Sequence, residues 1–257
     1  MKIVVCVKQV PDSAAKVVVE DGQVTWGDAP LVINPWDEYA VEAALKLKEV
    51  HGGSVSVLSM GKEDEKEAIK HALAMGSDEA ILLSDPALAG IDGAGAARVM
   101  AAAIQKVGDV DLAIFGKQAI DSDTGTTPAM VARVLGWPAL TLVAVIDNVS
   151  DGNIKVQRSM EEGRQMVDSK LPAVLSITKD YGEPRYPSFM GIRKAARAEV
   201  PVWSVGDLGI EAPAAVVVWP EVMNPPVREI TNEIIEGESP AEIAEKLADK
   251  IMAEKVL

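Results

Sequence analysis

"DLAIFGKQAIDSDTGTTPAMVARVLG", Asp111–Gly136, sets an apolar run, a polar loop and a helical pattern end to end. The run "LAIF" reads as a strand buried on both faces. Thr127-Pro128 reads as a helix start. A hydroxyl can cap the free amides there, and proline at the first helical position gives up an N–H that has no helical acceptor. Gly136 followed by Pro138 reads as the stop of the same helix. The unit repeats along the chain. "IVVCV" at 3–7, "SVSVLSMG" from Ser54 and "EAILLSD" from Glu79 are further strand runs. "NPWDEYAVEAALKLKEV" from Asn34, "EDEKEAIKHALAMG" from Glu63 and "GAGAARVMAAAIQKV" from Gly93 are further helical patterns. Strands alternating with helices of this length predict an α/β fold with a doubly wound, mostly parallel sheet.

Two regions break the alternation. "KVVVEDGQVTW", 16–26, reads as a hairpin around Asp21-Gly22, a pair suited to tight turns. After Gly136, "LTLVAVIDNV", "NIKVQRSM", "RQMVDS" and "AVLSITK" follow with short turns, and are expected to extend the sheet with antiparallel strands. A proline-punctuated segment then runs from Glu183 to about Val202. The tail from about Ala212 ends in the helical pattern "SPAEIAEKLADKIMAEKV", with Ile243, Leu247 and Ile251 on one stripe. The expected organisation is an α/β domain over 1–183, a projecting segment over 184–200 and a C-terminal arm over 201–257.

Composition excludes several functions. A net charge of -14 argues against a nucleic-acid partner, since neutralising phosphates needs clustered Lys and Arg. One cysteine rules out an internal disulfide or a cysteine-rich metal cluster, and His51 and His71 read as exposed and inert, so no metal is expected. No apolar stretch is long enough for a transmembrane segment, and no charged-then-apolar signal opens the chain. The expected location is cytoplasmic, or the mitochondrial matrix for a eukaryotic protein.

The loop at 116–127 carries the chemistry. It runs from the carboxyl end of a strand to the amino end of a helix, where ligands sit in open α/β sheets. Helix-start amides and the small residues Thr124, Gly125, Thr126 and Thr127 suit an anion. Asp121 and Asp123 would repel a bare phosphate, yet can accept hydrogen bonds from ribose hydroxyls. A purely structural polar loop is the alternative. "DSDTG" also resembles the nucleophile loop of haloacid-dehalogenase phosphatases, but "GKQAI" intervenes and no later acidic pair is present to hold magnesium. "GAGAAR" at 93–98 lacks the third glycine of a dinucleotide fingerprint. No catalytic residue is assigned.

"GKQAIDSDTG" at 116–125 resembles the β subunit of electron-transfer flavoproteins. So do "VKQVPD" at 7–12, "INPWDEYAVEAALKLKE" at 33–49, "ALAMGSDEAILL" at 72–83 and "KLPAVLSITKDYGEPRYPSFMGIRKA" at 170–195. The likeness is collinear over roughly residues 1–210. It implies a heterodimer with an α subunit carrying a redox-active FAD, and a structural AMP in this chain. Electrons would pass from acyl-CoA or other flavin dehydrogenases to a quinone oxidoreductase. The resemblance places cofactor-binding residues at Cys6, at Asn34, Pro35, Trp36 and Asp37, and at Met60. It adds the loop residues Gly116, Lys117, Gln118, Ala119, Ile120, Asp121, Ser122, Asp123, Thr124, Gly125, Thr126 and Thr127. It makes 184–200 a partner-recognition loop, with Phe189, Met190 and Arg193 docking inside a basic rim of Arg185, Lys194 and Arg197. The C-terminal helix would pack on the α subunit. The alternative it carries is an electron-bifurcating subunit whose own FAD oxidises NADH. "VPDS" and "DSDTG" lean to that type, while "INPWDEYAVEAA" and "GWP" lean to AMP, the favoured occupant.

Overall fold

In chain order, the computed structural model forms β1 (Lys2–Val7), β2 (Gln9–Pro11), β3 (Val18–Glu20), β4 (Gln23–Thr25), β5 (Leu31–Ile33), α1 (Pro35–His51) and β6 (Ser54–Met60). There follow α2 (Glu67–Met75), β7 (Glu79–Leu83), α3 (Gly93–Val107), β8 (Leu112–Gly116), α4 (Thr127–Leu135), β9 (Ala139–Ser150), β10 (Asn153–Met160), β11 (Gly163–Lys170) and β12 (Ala173–Ile177). The chain closes with α5 (Phe189–Ala195), β13 (Val202–Trp203) and α6 (Pro240–Ala253). The structure describes residues 1–227 and 232–254. These divide into two compact units, parting after Val222, with α6 in the second.

One nine-stranded sheet dominates the first unit, in the order β11-β10-β9-β12-β8-β1-β6-β7-β13. Its central strands are parallel and buried on both faces, and in β6 even Ser56 and Ser59 lie buried. Successive side chains of β1 point to opposite faces. Ile3, Val5 and Val7 pack with the buried faces of α1 and α2, while Val4 and Cys6 pack with α3 and α4. Two helical layers therefore sandwich the sheet, and the expected doubly wound α/β fold is the observed one.

The antiparallel extension is β9, β10 and β11 only. The fourth run read as part of it, β12, instead inserts between β8 and β9 and is parallel to both. Burial explains the difference. All five residues of β12 are buried, whereas β11 is largely exposed, so β12 needs neighbours on both sides and β11 can form an edge. The β3–β4 hairpin turns on Asp21 and Gly22, both at positive φ (50° and 74°), as the sequence predicts.

Three further features differ from the sequence reading. α2 starts at Glu67, after the acid-rich "EDEK" rather than within it. The proline-punctuated segment contains a short helix, α5, whose Ser188 Oγ accepts the Gly191 N–H at 2.9 Å. His71 is not free at the surface: its Nε2 lies 2.7 Å from Glu38 Oε1. In the second unit α6 begins on a Ser239 cap and keeps Leu247 and Ile251 substantially exposed. Lys255 and Val256, read as its end, lie outside the described residues. Among the described residues no helix is long and apolar enough to cross a membrane, and no His/Cys/Asp/Glu group could hold a metal ion.

Candidate functional site

Because β8, β1 and β6 are adjacent and parallel, their carboxyl ends share one sheet edge, with Cys6 in register with Phe115 on one side and Leu58 on the other. Two loops leave this edge and are stitched together there. Asn34, 1% exposed, caps the entrance to α1, where its Nδ2 donates to Gln118 O (2.8 Å) and its Oδ1 accepts from Ile120 N–H (3.2 Å). Its own N–H donates to Lys8 O at 2.8 Å. Asp37, one turn into the helix, accepts the Lys8 N–H at 2.7 Å. Gly116 fits only because it has no side chain. A Cβ there would lie 2.4 Å from Asp37 Oδ1 and 2.6 Å from the Trp36 carbonyl carbon.

Burial pushes the Asp37 carboxyl up to about 7, and hydrogen bonds from Lys8 N–H, Asn34 and Gly116 N–H, with the Lys8 charge, moderate that rise. Cys6 is buried beneath. Desolvation first, and then the nearby Asp37 charge, push its thiol well above the usual range, so it is no nucleophile.

The loop then turns outward. Asp123 (φ 52°) and Gly125 (φ 60°) adopt left-handed conformations, and the Asp123 N–H donates to Ala119 O at 2.8 Å. Asp121 Oδ2 pairs with Lys8 Nζ at 2.6 Å, and Asp123 Oδ1 accepts from Gln118 Nε2 at 2.7 Å. Neither carboxylate therefore stands bare before an incoming anion. Lys117 Nζ sits 5.1 Å from the centroid of the Trp36 ring.

α4 starts one residue earlier than the sequence suggests. Thr126 is the N-cap, without a side-chain cap hydrogen bond, and Thr127 is the first helical residue, so the Thr127 hydroxyl is not the cap. Among the described residues the amides of Thr124, Gly125, Thr126 and Thr127 have no protein acceptor. Thr124, Gly125 and Thr126 line a cleft of about 810 Å³, which Lys117, Arg98 and Arg133 also line. Unpaired amides, hydroxyls and three cations are the donor set a phosphate needs, so a phosphate group fits these residues.

The expected site residues thus divide in three. Lys117, Gln118 and Asp123 to Thr126 line the cleft. Cys6, Asn34, Pro35, Trp36, Asp37, Met60 and Gly116 do not. Asn34, Asp37 and Gly116 brace the loop from below, and Met60 is half-buried against the α3 side of the core. Ala119, Ile120, Asp121, Ser122 and Thr127 form the rest of the loop and the helix start. Arg98, Met130 and Arg133 escaped the sequence reading, as each lies within a helical pattern that reads as packing rather than as a ligand site.

Phe189 and Met190 are 77% and 71% exposed, and Arg193 is exposed beside them. Arg185 belongs to no rim. Its guanidinium is bound to Glu42 (Nε–Oε2, 2.7 Å) and Glu49 (Nη1–Oε1, 2.6 Å) of α1.

The family model described as "Electron transfer flavoprotein domain" matches residues 24–208. The chain is 39% identical over 218 residues to Protein FixA of Azorhizobium caulinodans, covering 82% of this chain and 78% of that one. It is 38% identical over 216 residues to the caffeyl-CoA reductase-Etf complex subunit CarD of Acetobacterium woodii, covering 83% and 82%. It is 33% identical to the electron transfer flavoprotein subunit beta of Megasphaera elsdenii over the full length of both.

Proposed function

The chain belongs to the electron-transfer flavoprotein β-subunit family, and from that premise we propose that it pairs with an α subunit and holds a structural AMP in the cleft beside the loop that follows β8. The observation that carries the nucleotide reading is the braced 117–127 loop with its run of unpaired amides. Asn34, Asp37 and Gly116 fix the loop, Thr124 to Thr127 offer donors to the phosphate, and Lys117, Arg98 and Arg133 supply positive charge. The chain itself performs no bond chemistry. It orders the α subunit's flavin domain, while α5 presents Phe189, Met190 and Arg193 to acyl-CoA or other flavin dehydrogenases. Electrons leave through the α-subunit FAD to a quinone oxidoreductase. Residues 1–183 serve as nucleotide domain, 184–200 as recognition segment and 201–257 as an arm packing on the partner, in the cytoplasm.

A second reading has an observation of its own. The cleft, at about 810 Å³, is within the size range that holds dinucleotides and exceeds what one phosphate requires. The CarD relative carries the name of a reductase complex. On this reading the site would take FAD, which would supply hydride chemistry with NADH, and the same loop would hold its diphosphate through Thr124 to Thr127. Counting nucleotides released by denaturing the co-purified heterodimer separates the two. One flavin and one AMP support the first. Two flavins with NADH-dependent bleaching support the second. No adenine nucleotide beyond the α-subunit flavin overturns both.

A further inference from the structure

α5 has seven residues, too few to hold a helix in water by its own hydrogen bonds. Its burial does not hold it either, for Phe189, Met190 and Ile192 are exposed and only Ala195 is buried. The pose of this helix must come from anchors outside it. Ser188 caps its start. Arg185 ties the preceding turn to α1 through Glu42 and Glu49. The third anchor is Gly191. A Cβ built on it would fall 2.1 Å from Ala74 O and 3.1 Å from the Ala74 carbonyl carbon, in the last turn of α2.

Conformation does not call for glycine at this position, because Gly191 lies outside the positive-φ region. Glycine inside a helix is about 1 kcal/mol worse than alanine, so propensity argues against it. Space is the remaining reason. The obstacle is backbone, which cannot rotate aside as a side chain can. We infer that Gly191 is a positioning residue that seats α5 on the Ala74 carbonyl and thereby aims Phe189 and Met190 at a partner protein. The inference rests on the docking role proposed above for α5, and Gly191 itself touches no partner. Any side chain at 191 must lift the helix until carbon and oxygen reach an ordinary separation of about 3.3 Å, a displacement on the order of 1 Å. The two exposed apolar residues travel with it, and central apolar anchors tolerate such shifts poorly.

The experiment compares Gly191→Ala and Phe189→Ala in the intact heterodimer, with a reduced acyl-CoA dehydrogenase as donor. Gly191→Ala should raise the KM for the dehydrogenase on the order of tenfold. Nucleotide content and reduction of an artificial dye should stay at wild-type values, and melting temperature should fall by no more than the local unseating of α5 entails. A merely structural lesion would instead lower melting temperature and nucleotide content together with transfer, and that pattern overturns the proposal. An unchanged KM in Gly191→Ala beside a raised KM in Phe189→Ala also overturns it, leaving docking intact. If Phe189→Ala is itself silent, or the wild type accepts no electrons, the docking role fails and the inference falls with it.

Discussion

The carboxylate of Asp37 occupies the space that a side chain on Gly116 would need: a Cβ there would lie 2.4 Å from Oδ1. The first turn of α1 and the end of β8 are thus in close contact, and the 117–126 loop leaves directly from that contact. Gly116→Ala forces Trp36 and Asp37 away from the strand end, with neither free to yield. Overpacking of this kind costs about 1–3 kcal/mol. Chemical denaturation should show that loss, together with diminished nucleotide retention. Wild-type values for both would mean that the contact is not needed.

Asp37 also makes stability depend on pH. Its carboxyl titrates near 3.8 when unfolded and at about 7 in the fold. A raised acid favours folding while protonated. Its contribution is therefore full below about pH 4 and is lost as pH rises to 7, a span worth roughly 4 kcal/mol at most. Asp37→Asn cannot titrate. Urea unfolding of wild type and Asp37→Asn between pH 4 and 8 should give a stability difference that moves against the wild type as pH rises. A difference independent of pH would contradict the buried-acid assignment.

Asn34 holds the loop further along, at Gln118 and Ile120. Removing its amide in Asn34→Ala leaves Gln118 O and Ile120 N–H without their partner in a part-buried place. Stranded groups of this kind cost about 1–3 kcal/mol. Lower stability and faster nucleotide release are expected together, measured by thermal unfolding and by dialysis followed by nucleotide assay. Slower or unchanged release would separate the brace from the site.

These braces show where sequence reading stops. β1, β6, β7 and β8 were legible because short, strongly apolar runs bounded by turn residues have one stable home, the interior of a parallel sheet. The loop was legible as a candidate site because strand end and helix start flank it. The roles of Asn34 and Asp37 were not. A polar side chain near a candidate loop looks the same in sequence whether it faces a ligand or is buried beneath the loop. Position in the sheet was equally hidden for β12, since its partners, β8 and β9, are set by burial rather than by its short turn from β11. Arg98 and Arg133 approach the site only through the packing of α3 on α4.

Thr127 distinguishes fold from ligand most cleanly. The cap of α4 is Thr126, with no side-chain cap bond, and Thr127 already lies within the helix. Deleting the Thr127 hydroxyl therefore removes no capping interaction, and Thr127→Ala should unfold within about 0.5 kcal/mol of wild type. Should the hydroxyl reach the phosphate, nucleotide retention must fall without that loss of stability. Paired measurements of unfolding and bound nucleotide on the same preparation decide the matter. A stability loss near 1 kcal/mol would restore a capping role for Thr127. Full retention at full stability would move the phosphate contact to Thr124, Gly125 and Thr126, whose amides line the cleft without it.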